Sequence, residues 1–252
     1  MVDGMKRSLL LILVVAFSWA GTKSTIVEQT DEELYTSGKA AVERGDWSKA
    51  RSTFRRYEVR YPHGSHIEEA KFNIAQSYFK SRTTEEQVEG VALFRSFLTF
   101  YPQHALACNA QLRIASYYFK HMRGPERDQT EARQALDEAQ KLIATYPNCD
   151  QLAEAQDMAQ KAEDRLAFSE FKVAEYYWKI GNYLAAEHRL RDIIKAYPGY
   201  TDRDKAYYYL VDSLQRQRKS DEAQTALQML STEHPGSTYF GKAQKAAGSG
   251  GK

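Results

Sequence analysis

Proline constrains this chain more than any other residue. Five steps, Tyr61-Pro62, Tyr101-Pro102, Tyr146-Pro147, Tyr197-Pro198 and His234-Pro235, recur at intervals of 40, 45, 51 and 37 residues, and only Pro125 falls outside the series. A proline cannot continue a helix without losing a backbone hydrogen bond, and it pushes the residue before it out of the α region. Each step follows an apolar pattern of helical spacing, as in Ala50, Phe54, Tyr57 and Tyr61. Each proline is therefore expected to mark the end of a second helix in a repeated helical pair.

Counting back twelve residues from each proline gives Ala50, Gly90, Ala135, Ala186 and Ala223, and counting back eight gives Phe54, Phe94, Ala139, Leu190 and Leu227. A small residue followed four positions later by a mostly larger apolar one resembles the second-helix signature of the tetratricopeptide repeat (TPR). Two helices can cross tightly only where the side chain is small, and the larger residue one turn on fills the space between hairpins. Gly45-Asp46-Trp47 and Gly181-Asn182-Tyr183 make the turn inside a hairpin, whereas the fifth repeat lacks the Gly turn.

The spacings exceed the usual TPR length of about 34 residues. Extra residues surround Ser81 to Thr84, a longer insertion runs from His121 to Gln129, and 151–180 reads as one or two long helices. The expected fold is all-α, a TPR-like right-handed solenoid of about five helix hairpins. It occupies residues 31–241, with a flexible tail over 242–252.

Composition narrows the function. At 42 % hydrophobic and 27 % charged, the chain is that of a folded protein. Its formal charge is only +2, with acids and bases interspersed, so no nucleic-acid arm or polybasic membrane patch is expected. Near the start, Lys6-Arg7 precede an apolar run from Leu9 to Ala20, too short for a stable membrane anchor. Residues 1–20 read as a secretory signal cleaved before Gly21, and 21–30 as a linker. A buried N-terminal helix is the alternative, but Leu9 to Val15 has no polar face. Export places the chain outside the cytoplasm, where disulfides persist.

No convergent reactive groups appear. The six histidines are scattered without a His-Glu-x-x-His pattern, and His63 and His66 read as exposed turn residues behind a helix-ending proline. There is no G-x-S-x-G elbow and no phosphate-cradling Gly loop. Neither catalysis, nor a metal, nor a cofactor is expected. The two thiols, Cys108 and Cys149, fall at the start of the third hairpin's first helix and just past its second. A disulfide and a buried Cys108 beside an unrelated exposed Cys149 are both open.

A TPR array binds polypeptide along a groove lined mainly by first helices. Alignment from the prolines puts Tyr35 and Lys39 there in repeat one, Phe171, Glu175, Trp178 and Lys179 in repeat four, and Tyr208, Asp212 and Arg216 in repeat five. Aromatics with charged neighbours suit an extended peptide. Packing between repeats is the competing use of each aromatic.

One stretch is more specific: Asp164-Arg165-Leu166-Ala167, Glu170, Val173 to Tyr177, Gly181, Tyr183, Ala185 and Arg189, ending in Tyr197-Pro198. With Arg127-Asp128 and Glu131-Ala132-Arg133 in the insertion, it resembles the BamD family, TPR-like outer-membrane lipoproteins of the β-barrel assembly machinery. The resemblance covers roughly 31 to 235. It implies a C-terminal half that docks the POTRA domains of a BamA-like subunit and an N-terminal half that receives unfolded outer-membrane proteins. Arg189 matches the position where the family uses an arginine at the BamA contact. Family members carry a Cys right after the signal, but Ala20-Gly21 stands there, so lipid anchoring is not supported by these residues. The alternative is a general periplasmic TPR adaptor resembling the Tol-Pal-associated coordinator of cell division. That family carries a coiled coil before its repeats, where this chain has only Gly21 to Thr30.

Overall fold

In the computed structural model, residues 29–248 are described; the signal expected over 1–20 and nearly all of the linker lie outside them. Five helix pairs follow one another: α1 (Asp31–Glu43) with α2 (Trp47–Arg60), α3 (Ile67–Phe79) with α4 (Thr84–Phe100), α5 (Ala107–His121) with α6 (Thr130–Thr145), α7 (Leu152–Lys179) with α8 (Tyr183–Ala196), and α9 (Arg203–Arg216) with α10 (Ser220–Glu233). A last helix, α11 (Phe240–Gly248), closes the stack, and the described residues contain no strand. Each second helix stops two residues before its proline, capped by Tyr61, Tyr101, Tyr146, Tyr197 or His234. The backbone N–H of each cap still reaches the carbonyl four residues back, after which proline has no N–H to offer. The link that follows is the same each time. Gly64, His104, Cys149, Tyr200 and Ser237 donate to the cap carbonyl, and the residue three later donates to theirs.

The hairpin turns have a common geometry too. Gly45 and Gly181 sit at φ 70° and 80°, the left-handed conformation that ends a helix at least cost in glycine. Asp46 and Asn182 then cap the next helix through the amides of Lys49 and Ala185. Repeat five, which lacks the glycine, makes the same turn. Arg218 takes the left-handed position at φ 61°, and Lys219 N–H reaches Leu214 as Asp46 reaches Ala41 and Asn182 reaches Tyr177.

Packing follows the small-large pattern. Ala50, Gly90, Ala135, Ala186 and Ala223 are all buried, as are Phe54, Phe94, Ala139, Leu190 and Leu227. A methyl group built on Gly90 would stand 2.5 Å from the Phe79 backbone nitrogen, so α3 and α4 touch closely at that point. Three seams carry an arginine from one second helix to a glutamate on the next: Arg51–Glu86, Arg95–Glu138 and Arg191–Glu222. The seam between hairpins three and four is crossed by α7, one continuous helix of 28 residues, which resolves the choice over 151–180.

The expected tail is partly overturned. Residues 242–248 continue α11, whose Phe240, Ala243, Ala246 and Ala247 pack on the α9–α10 core, and Gln215 holds the Ala247 carbonyl. These apolar residues give a short helix a face to bury, which the Gly-rich end obscured.

Candidate functional site

The groove candidates divide. Phe171, with Ala167 and Ala174, points into the core made with α8 and α9 and is 1 % exposed, so it is not a groove residue. Alignment with Tyr35 put it in the groove, but α7 turns that side towards α9, where the Lys205 ammonium covers its ring at 4.7 Å. Trp178 is half-buried against the same core, and its indole N–H donates to Asp212 Oδ2 at 2.7 Å. Arg216 donates to the same oxygen and to the Tyr183 hydroxyl, and its guanidinium lies 5.0 Å from the Tyr183 ring centre and 5.7 Å from that of Trp178. The Asp212 hydrogen bond raises the Arg216 pKa, so this cation is firmly held. Glu175 accepts from Lys179 and from the Tyr209 hydroxyl, and the Lys179 bond holds its carboxyl below the ordinary range. Tyr208 is half-buried and stacks on Tyr239.

Trp178, Asp212 and Arg216 thus form one connected cluster across α7 and α9, while Tyr35 and Lys39 lie far along the chain on α1. Lys39 is exposed; Tyr35 stacks face to face on His66 at 3.8 Å. That contact, with a 3.0 Å bond from the His66 ring to Glu32, shows His66 to be a packed, half-buried residue and not a freely exposed turn residue. Among the described residues no group of three His, Cys, Asp or Glu is placed to hold a metal.

Arg189 is exposed on α8, and its Nη1 lies 3.2 Å from Glu170 Oε2 on α7. Its partner is therefore across the hairpin, on the first helix of the pair. Glu187, two residues before Arg189 on α8, is a buried carboxylate. It is 4 % exposed because the α9–α10 turn folds over it, bringing Lys219 to 2.7 Å and Gln217 to 2.9 Å beside Arg191 on α8. Burial pushes its carboxyl up, but the three donors outweigh this and leave it below the usual range. Cys108 and Cys149 are joined as a disulfide at the mouth of hairpin three.

Sequence reasoning missed an exposed apolar strip on α7. Val173, Tyr176 and Ile180, which share one side of α7, are exposed there by 39, 59 and 57 %. Their signal, an apolar stripe at helical spacing, is also that of a core.

Comparison with known proteins agrees with this architecture. A tetratricopeptide repeat model matches residues 205–237, and the YfiO model, described as outer membrane lipoprotein, matches residues 27–219. The outer membrane protein assembly factor BamD of Caulobacter vibrioides is 26 % identical over 235 residues, covering 90 % of this chain and 76 % of that protein. The protein of the same name in Vibrio cholerae is 22 % identical, covering 88 % and 95 %, and that of Neisseria meningitidis serogroup A is 24 % identical, covering 94 % of each. A helical-hairpin stack matched over most of its length by one family model has a family: the chain belongs to the YfiO outer membrane lipoproteins, the family of the BamD assembly factors.

Proposed function

We propose that this chain is a non-enzymatic scaffold of the outer-membrane β-barrel assembly machinery at the periplasmic face of the outer membrane. Its C-terminal half docks the POTRA domains of a BamA-like subunit, with Arg189 at the contact. Its N-terminal half, with Tyr35 and Lys39 on the first helix, receives unfolded outer-membrane proteins. The observation that carries the reading is the family match over residues 27–219, taken with an Arg189 that is exposed and held only by a surface glutamate. A half-exposed ion pair of this kind contributes little to folding, about 0–1 kcal/mol. It can therefore open and offer its planar guanidinium to a partner carboxylate.

The test is titration of the purified chain with tandem POTRA domains by calorimetry. Arg189→Glu is expected to leave the melting transition nearly unchanged and to weaken binding by a few kcal/mol, because two like charges then face each other. The charge swap Arg189→Glu/Glu170→Arg keeps the pair within the hairpin, so its failure to bind normally would place the defect at the partner. A folded Arg189→Glu chain that binds POTRA domains with unchanged affinity would move the contact elsewhere.

A further inference from the structure

Each hairpin is closed at its mouth, where the link after the second helix passes the first helix. In four of the five the closure is a carboxylate on the first helix. Asp31 accepts from the Ser65 backbone N–H and hydroxyl in hairpin one, and Asp204 from the Ser237 hydroxyl in hairpin five. Glu68 lies 3.4 Å from the His104 ring in hairpin two. In hairpin four the carboxylates sit midway along the longer α7: Glu163 accepts from Gly199 N–H, and Asp164 from the Thr201 N–H and hydroxyl. Hairpin three differs. The first turn of α5 holds no acidic residue, and the Cys108–Cys149 disulfide makes the same connection. Among the described residues, no hydrogen bond or ion pair joins that turn to the link over 147–151.

The bond is reachable, and its two sulfurs are unequal. An open cleft of about 450 Å³ between the Pro102 and Pro147 links runs to it, lined by both cysteines and by His104. Cys108 is 6 % exposed and packs in the core of hairpin three with Leu112, Ala139 and Leu142, whereas Cys149 is half-buried on the link. A thiolate that enters the cleft therefore meets the Cys149 sulfur first. The leaving side is set by position too. Cys108 stands in the first turn of α5, whose free backbone N–H groups and dipole favour a thiolate there. Burial works against that charge, and the place of Cys108 on the cleft wall limits the cost. Cys149 precedes the exposed Asp150, whose negative charge disfavours a thiolate beside it. Exchange is fastest when the accessible sulfur is attacked and the better-stabilised thiolate leaves.

We infer that the Cys108–Cys149 bond is a thiol–disulfide exchange site, attacked at Cys149 by a thiolate of a dithiol reductant. The incoming sulfur bonds to Cys149 Sγ as the Sγ–Sγ bond breaks, and the electron pair leaves on Cys108 Sγ. The fold holds Cys108 beside the new bond, so it expels a monothiol again. A dithiol escapes this: its second thiolate attacks its own bound sulfur, closes the reductant's disulfide and releases Cys149. Two electrons pass from the dithiol to the protein, and its two protons end on the two cysteines. Reduction leaves the mouth of hairpin three without its clasp, while the four carboxylate closures are untouched.

The experiment uses the full chain, folded and oxidised, with three reagents: reduced glutathione, dithiothreitol and thioredoxin. Glutathione marks the attacked sulfur, read by acid quenching, alkylation and peptide mass spectrometry. The adduct is expected on Cys149 over Cys108 by roughly tenfold or more, and in near equal amounts in the guanidinium-unfolded chain. Both dithiols are expected to complete the reduction; completion by dithiothreitol alone would make the source a small dithiol and not a protein. Hydrogen exchange in the reduced chain is expected to quicken at the amides of 107–110 and 147–151 and not in α9 or α10. An adduct mainly on Cys108, or exchange only where guanidinium unfolds the chain, would overturn the site. Unchanged hydrogen exchange at the mouth after reduction would overturn the clasp.

Discussion

Replacing a helical glycine by alanine normally stabilises a protein, and at Gly90 the sign should reverse. In a helix interior the exchange is worth about 1 kcal/mol in favour of alanine. Gly90 lies within α4 and has no positive φ, so intrinsic propensity alone predicts a gain. The added methyl would stand 2.5 Å from the Phe79 nitrogen, 2.9 Å from its Cα and 3.1 Å from the Ala75 carbonyl oxygen. Ordinary contact begins at 3.4 Å, so α3 must withdraw by about 0.9 Å, and a backbone cannot swing aside as a side chain can. Withdrawal loosens the seam where Phe72 and Phe79 pack on Phe94. Overpacking and the gap it opens cost about 3 kcal/mol, so the net loss is about 2 kcal/mol once the propensity gain is offset. For a chain of this size that is a fall in melting temperature of roughly 4–8 °C. Thermal melting followed by circular dichroism at 222 nm reads it, together with guanidinium titration to detect separate melting of hairpins one and two. A Gly90→Ala chain that melts at or above the parent temperature would refute the claim that the helices meet at backbone distance there.

Three other outcomes are expected. Arg218→Gly should stabilise the fold by about 0.5–1 kcal/mol, since a left-handed residue other than glycine costs about 1–2 kcal/mol, partly offset by glycine's freedom in the unfolded chain; a lower melting temperature would contradict it. The Cys108–Cys149 bond closes a loop of 41 residues and should contribute about 4 kcal/mol on the chain-entropy account; two alkylated thiols in unreduced, exported protein would show that the bond does not form. Glu187 is held below its ordinary value of 4.5, so its contribution is present above that pH and is lost as the pH falls through the depressed value. The melting temperature should therefore fall more steeply in acid for the parent than for Glu187→Gln, and identical slopes would remove Glu187 from the acid response.

What the sequence determined by itself is mostly local. The helix ends at Pro62, Pro102, Pro147, Pro198 and Pro235 follow from a residue that cannot donate, and the turns at Gly45 and Gly181 from one that tolerates positive φ. The small-large pairs, from Ala50 with Phe54 to Ala223 with Leu227, report a crossing because size alone decides how near two helices come. The family was legible too, from the stretch between Asp164 and Pro198. Only the tertiary structure decided which apolar residues are covered. Phe171 was expected in a groove and is core. Val173, Tyr176 and Ile180 were indistinguishable from core and are exposed. Glu187, on a mostly charged stretch of α8, is buried under a turn that arrives from 30 residues away. The helical period tells which residues share a side, but not what lies against that side. Where α5 and α6 stop covering α7 depends on the length of an insertion and the path of neighbouring helices, and those are long-range facts that no local pattern carries.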